Sequence, residues 1–306
     1  MKIFIHFLIL LFLLSGSRSA DDSSPFAVVL GIAQDGGAPH AGCVKTCCSD
    51  RWSHSENELR VSCLGIVDPQ TEEVWIIDAT PDFPEQYHEL TQNGKYKLKG
   101  IFLTHAHIGH YTGLIHLGRE VMGTKEIPVY AMPRMKSFLE TNGPWNQLVS
   151  LSQISLIPLT DNKIIKLNDR LSLTSFTVPH RDEYSETVGF KLKGENNKLI
   201  FIPDIDKWEK WGTNIIDIIH QNEFVLIDGT FFGQNEIPNR NMSEIPHPFI
   251  EESLSQFSNL SMKNKSKVFF IHLNHSNPVL DLKSEQRLKV INSGFNISFR
   301  GIKFTL

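Results

Sequence analysis

From Phe26 onward, short apolar runs alternate with turn residues, the pattern of strands and helices stacked in layers. Runs of Val, Ile, Leu and Phe predict strands over residues 27–32, 62–67, 74–78, 101–104, 129–131, 154–158, 171–178, 188–193, 198–203, 224–228, 268–272 and 297–305. Segments with apolar residues three and four apart predict helices over 83–93, 112–121, 134–142, 207–221, 248–256 and 282–293. Thr112 caps the second helix, and Pro248 is a first-turn proline for the fifth. No repeat, low-complexity tract or linker interrupts the series, which predicts one domain over residues 21–306.

The amino terminus reads differently. Lys2 precedes an apolar run from Ile3 to Leu14, then small residues as far as Ala20. That run is short for a bilayer crossing, so residues 1–20 are expected to be a cleaved secretory signal. The mature chain is then exported, periplasmic or secreted, with no stable membrane insertion. The 306 residues carry a net charge of −4, with 41% hydrophobic and 21% charged, an ordinary globular balance. No block of Lys or Arg marks a nucleic-acid surface, and a small-molecule substrate is the expected partner.

Chemistry gathers where the apolar runs stop. Asp78, His105, His180, Asp204, Asp228 and His272 each close such a run, and equivalent strand ends meet at one edge of a layered fold. The densest stretch is His105-Ala106-His107-Ile108-Gly109-His110, which holds three of the 13 His in the chain. Residues two apart in an extended segment point the same way, so His105 and His107 can share one ion. His110 falls on the turn that opens the next helix, within reach of a neighbouring ion. A catalytic zinc takes three protein ligands, keeps one position for water and lowers the pKa of that water to about 7.

Cys43, Cys47 and Cys48 form a Cys-x3-Cys-Cys cluster beside His40. In an exported protein this predicts a disulfide from Cys43 to Cys47 or Cys48. It equally permits a structural metal site completed by one further ligand. Cys63 lies inside a strand pattern and reads as core.

Together the His-x-His-x-x-His stretch, Trp75-Ile76-Ile77-Asp78-Ala79-Thr80, Val178-Pro179-His180, Ile202-Pro203-Asp204 and Ile271-His272-Leu273 resemble, in order, the motifs of the metallo-β-lactamase superfamily. The likeness runs from about Phe26 to the carboxyl end. It implies an α/β (α+β) four-layer αββα sandwich, a single domain with metals at one edge. It also implies that His105, His107 and His180 hold a first zinc, that Asp204 bridges two ions, and that His110 and His272 complete the second. Asp78 is similar to the buried carboxylate that orients the family's histidines, and Asp228 is a candidate for the same supporting role. The family motif usually reads His-x-His-x-Asp-His. Gly109 replaces that Asp here, which implies a weaker second site and one or two catalytic zinc ions.

Within the superfamily, residues 29–40, Asp228-Gly229-Thr230-Phe231 and residues 271–278 resemble the pyrroloquinoline-quinone synthesis protein B group. Members of that group tend to lack the first His pair and keep the Asp, the reverse of this chain. That likeness implies an alternative role: a cofactor-pathway or carrier protein that binds a small molecule without hydrolysing it. Export fits poorly with a cytoplasmic pathway. The chain is also similar to phosphonate-pathway cyclic phosphodiesterases, which pair an amino-terminal Cys cluster with a His three residues after the last catalytic His. This implies an additional structural zinc on Cys43, Cys47, Cys48 and His275, beside the disulfide alternative. His40, Arg181 and His247 are candidate substrate contacts. The expected activity is hydrolysis of an ester, phosphodiester or amide-like small molecule by zinc-bound hydroxide, with Asp204 and His180 as catalytic residues.

Overall fold

Along the first strand, β1 (Phe26–Gly31), alternate side chains leave on opposite faces. Ala27 and Val29 enter the apolar cluster between two sheets, while Val28 and Leu30 enter a second cluster under the covering helices. The computed structural model describes residues 23–238 and 241–306, so the expected signal segment lies outside the described residues. β2 (Cys63–Asp68) and β3 (Glu73–Ile77) follow in antiparallel meander, and β4 (Lys97–Phe102), β5 (Ile127–Ala131) and β6 (Ile154–Pro158) add in parallel. The second sheet starts antiparallel with β7 (Ile164–Lys166), β8 (Ser172–Thr177), β9 (Val188–Lys193) and β10 (Lys198–Ile202). It continues in parallel through β11 (Phe224–Asp228), β12 (Val268–Ile271) and β13 (Asn296–Ile297). β14 (Lys303–Thr305) then crosses back to pair with β1. Each sheet has seven strands, ordered β14-β1-β2-β3-β4-β5-β6 and β13-β12-β11-β10-β9-β8-β7.

Helices cover both outer faces. In chain order they are α1 (Thr46–Ser53), α2 (Phe83–Thr91), α3 (Ile108–Tyr111), α4 (Pro133–Thr141), α5 (Trp145–Ser150), α6 (Ile215–Gln221), α7 (Ile250–Gln256), α8 (Met262–Lys265) and α9 (Glu285–Asn292). Phe83, Leu90, Met135, Leu139 and Leu148 pack from α2, α4 and α5 onto the first sheet. Ile219, Leu254 and Val290 pack from α6, α7 and α9 within the cluster of the second. The expected αββα sandwich is therefore present as a single domain. Among the described residues, no helix is long and apolar enough to cross a membrane.

Four expectations need correction. The segment 112–121 is α3 followed by a 3-10 turn, Thr112–Leu117, because a Cβ at Gly113 would lie 2.1 Å from the Thr80 carbonyl and Gly118 ends the run. The segment 207–221 breaks at Trp211-Gly212-Thr213, and α6 restarts where the Asn214 side chain caps Ile216. The segment 297–305 is two short strands in different sheets, joined through Gly301 at a φ of +90°. The helices α1, α5 and α8 and the strand β7 were not predicted; each is short with at most one buried residue, so tertiary context decides it.

The topology positions the site. β3 and β4 run parallel, as do β10, β11 and β12, and two antiparallel pairings give β8 the direction of β10. The residues that close these strands thus share one edge, the crevice beyond the carboxyl ends where parallel sheets bind ligands. Asp78 and His272, each just past a strand end, adopt left-handed φ values of +70° and +62°. Such backbone costs about 1–3 kcal/mol per residue and collects at functional sites.

Phe102 from the first sheet meets Phe190 from the second edge-on, with ring centroids 5.9 Å apart, and both are fully buried. Phe190→Ala is expected to cost about 3–5 kcal/mol through lost burial and the cavity left behind. Urea unfolding of the purified chain measures this; a loss under about 1 kcal/mol would mean that the two sheets are not held together here.

Candidate metal centre

One carboxylate sits at the middle of the edge. Asp204, two residues past β10, is almost wholly buried and lies within ion-pair range of six imidazoles. Its Oδ2 is 3.2 Å from His105 Nε2, 3.7 Å from His110 Nε2, 3.7 Å from His272 Nε2 and 4.0 Å from His107 Nδ1. Its Oδ1 is 3.2 Å from both His180 Nε2 and His247 Nδ1. His105, His107, His180 and Asp204 can converge on one ion; His110, His272, Asp204 and Asp35 can converge on another. Asp204 belongs to both groups.

The rings are aimed by two Asp–Thr pairs. In the first sheet, Thr104 donates its hydroxyl and its backbone N–H to Asp78, while His110 Nδ1 lies 2.7 Å from Asp78 Oδ2. Because the Thr104 hydroxyl donates to the carboxylate, it accepts from His105 Nδ1 at 3.0 Å. In the second sheet, Thr230 donates to Asp228 at 2.7 Å and accepts from His272 Nδ1 at 2.9 Å. Each arrangement places the ring proton on Nδ1 and leaves Nε2 free to ligate. Asp78 and Asp228 thus stand where supporting carboxylates were expected. The orienting role of the two threonines was missed, though Thr104 adjoins His105 and Thr230 stands in the quoted Asp228-Gly229-Thr230-Phe231 stretch.

The donor set suits a cation. Twelve buried side-chain N and O atoms lack a hydrogen-bond partner among the described residues. Seven of them belong here: Asp35 Oδ1, His105 Nε2, His110 Nε2, both ring nitrogens of His180, Asp204 Oδ1 and His272 Nε2. Leaving one such polar atom buried and unpaired costs about 1–3 kcal/mol, so a shared partner is the economical explanation. Burial pushes His105 well below the ordinary imidazole range and His180 down to about 4, which keeps both neutral and able to ligate. Burial also opposes charge on Asp204, but His180, His272 and His247 outweigh it and hold the carboxyl well below its usual range. Against its own burial, His247 is held up at about 9 by Asp228 first and Asp204 next. The carboxylates demand positive charge at the centre.

A match to the Beta-lactamase superfamily domain family model spans residues 75–273, from β3 through the loop after β12. The chain belongs to the β-lactamase superfamily. It is 25% identical to coenzyme PQQ synthesis protein B of Xanthomonas oryzae pv. oryzae, covering 91% of this chain and 99% of that protein. Zn(2+)-bound PqqB from Methylobacterium extorquens shares its fold, with a TM-score of 0.75 at 21% identity, covering 92% of this chain and 100% of that one. A diphosphatase of the PhnP family has a TM-score of 0.65 at 19% identity, covering 92% and 96%.

For a superfamily member with Gly109 in its motif, the second site was expected to be weaker. A further carboxylate stands there: Asp35, from the loop after β1, brings Oδ1 to 3.1 Å from His110 Nε2 and 3.7 Å from His272 Nε2. Nothing local in Gln34-Asp35-Gly36-Gly37 distinguishes that carboxylate from a turn residue.

The cysteine cluster also differs from one of its two readings. All four cysteines are free, and Cys43 Sγ lies 3.8 Å from Cys47 Sγ, far beyond a disulfide bond. Cys47 and Cys48 lie 3.6 and 3.3 Å from His275 Nδ1, and the four residues form a further group able to hold an ion. Thiolates about 3.8 Å apart are what a tetrahedral zinc with Zn–S near 2.3 Å requires. His40 belongs to this cluster rather than to the mouth of the site, stacking on His275 at 4.5 Å and donating its backbone N–H to Cys48. His247 lies inside the centre, donating to Asp228 at 2.8 Å, not at its rim. Arg181 does flank the site, with Nη2 3.5 Å from His107 Nε2, beside Glu183 at 3.3 Å.

Glu236 ties the loop after β11 to the loop after β12. It accepts from Ser276 at 2.6 Å and from the Phe232 backbone at 2.7 Å. Burial pushes its carboxyl from 4.5 up to about 7. A raised acid is protonated in the folded chain and ionised in the unfolded one, so stability falls as pH rises from near 4.5 through 7. Glu236→Gln is expected to flatten that fall, read as the thermal midpoint across pH 5 to 8. An unchanged slope would reject the assignment.

Proposed function

We propose that this superfamily member is a metal-dependent hydrolase, acting on an ester, phosphodiester or amide-like small molecule, with zinc as its ion. The observation that carries the reading is the cluster of buried, unpartnered ligand atoms meeting around Asp204. An imidazole-rich set with one bridging carboxylate suits zinc. Bound there, the ion supplies a water of lowered pKa and polarises the scissile group.

The chain's own groups handle the protons. Asp204 is held ionised and accepts a hydrogen bond from the attacking water at Oδ1, beside His180, aligning that water as its proton passes to solvent. His247 carries a proton between Asp228 and Asp204 and is the group at hand to return one to the leaving oxygen. His107 and Asp35 are the centre's most open members, 14% and 25% exposed, so substrate enters on their side, past Arg181. The apolar run before Ala20 supports export of the mature chain. Cys43, Cys47, Cys48 and His275 are proposed to hold a structural zinc.

A second reading is a PqqB-like carrier that binds a small molecule without hydrolysis. It is favoured by similarity over nearly the whole length of coenzyme PQQ synthesis protein B. A panel of chromogenic esters, phosphodiesters and β-lactams separates the two readings. Under hydrolysis, at least one substrate turns over, a chelator stops it and zinc restores it. His107→Ala then lowers turnover by more than about 100-fold, beyond what loss of an outer-shell partner costs. Turnover that survives chelation would end the hydrolase reading. Separately, Cys48→Ser is expected to bind one metal ion fewer per chain than the parent by elemental analysis; an equal count would exclude the thiolate site.

A further inference from the structure

Position 109 and position 35 compete for the same space. A Cβ built on Gly109 lies 2.5 Å from Asp35 Cα, 2.5 Å from Asp35 Oδ1 and 2.9 Å from Asp35 Cβ. No side chain at 109 fits while Asp35 stays where it is, because backbone as well as carboxylate blocks it. Asp35 is held there firmly. Gln34 donates to the Leu273 carbonyl at 2.9 Å, Gly37 closes the turn onto the Gln34 carbonyl at 2.8 Å, and Ala33 bridges both Val61 and Leu273. Leu273 adjoins His272, so the same contacts fix the loop against one of the site's own imidazoles.

The carboxylate this delivers is not explained by structural pairing. His110 already has Asp78 on Nδ1 at 2.7 Å, and Asp35 approaches the opposite nitrogen, Nε2, at 3.1 Å. Asp35 Oδ1, His110 Nε2 and His272 Nε2 are buried and make no hydrogen bond with one another or with any other described residue, and all three lie near Asp204. Three unsatisfied donor atoms and a shared carboxylate describe a ligand shell.

We infer that Asp35 is a direct oxygen ligand of the second metal ion, and that Gly109 is glycine because it must clear the space Asp35 occupies. The oxygen that the superfamily motif supplies from the helix start arrives here from the loop after β1, so the second site is complete. This inference rests on reading the centre as a two-ion site.

The test counts zinc ions per full-length mature chain by elemental analysis after equilibration with limiting zinc, and measures affinity by competition with a chromogenic chelator. Circular dichroism verifies folding. Asp35→Asn, near-isosteric and uncharged, is expected to lose one ion or to weaken the second ion by at least about 10-fold, the lower bound for disturbing even an outer-shell partner. Gly109→Ala, which adds no ligand and removes none, is expected to show the same deficit because its methyl displaces Asp35. His107→Ala is expected to lose the other ion. An Asp35→Asn protein with parental count and affinity would overturn the inference while leaving the two-ion reading intact, as would a Gly109→Ala protein that keeps both ions. A parent chain that binds only the ion lost in Cys48→Ser would overturn the two-ion reading itself, and this inference with it.

Discussion

Asp204 is a carboxylate taken almost entirely out of water and left facing six histidines. Burying an anion is costly unless opposite charge accompanies it. That constraint organises the rest of the edge. The strands β4, β8, β10 and β12 end level with one another so that their terminal residues surround it. Asp78 and Asp228 lie behind the rings, each adding a hydroxyl relay. Two residues accept left-handed backbone to face inward.

Much of this was legible in the sequence because β structure writes its active residues at the ends of apolar runs. Asp78, His105, His180, Asp204, Asp228 and His272 all followed such runs, and the folded chain gathers all six. The roles of Thr104 and Thr230 escaped notice since a threonine near a strand end is ordinary; only the folded hydroxyl geometry shows what they orient. Asp35 was hidden for a different reason. Its partners come from three distant segments, and its own surroundings read as a glycine-rich turn. The empty place at Gly109 was visible, but what fills it was not.

His40 and His247 illustrate the same limit from the other side. Both are loop histidines without a periodic pattern, and both were assigned to the rim of the site. The fold sends one outward to stack over the thiol cluster and the other inward between two carboxylates. Loop direction depends on contacts such as Glu236 with Ser276 and Phe232, which no local propensity records. Likewise, the last apolar stretch divides because its two halves pair with different sheets, a choice that local propensity does not record.

The side chains of the proposed metal centre come from both halves of the sandwich: His105, His107, His110 and Asp35 from the first, His180, Asp204 and His272 from the second. An ion held by both sets would therefore also be a clasp across the seam between them. Mass action then links its concentration to unfolding, by about 2.7 kcal/mol at a free level one hundred times its dissociation constant. On the proposed reading, metal supply in the surroundings would therefore set the heat resistance of the chain.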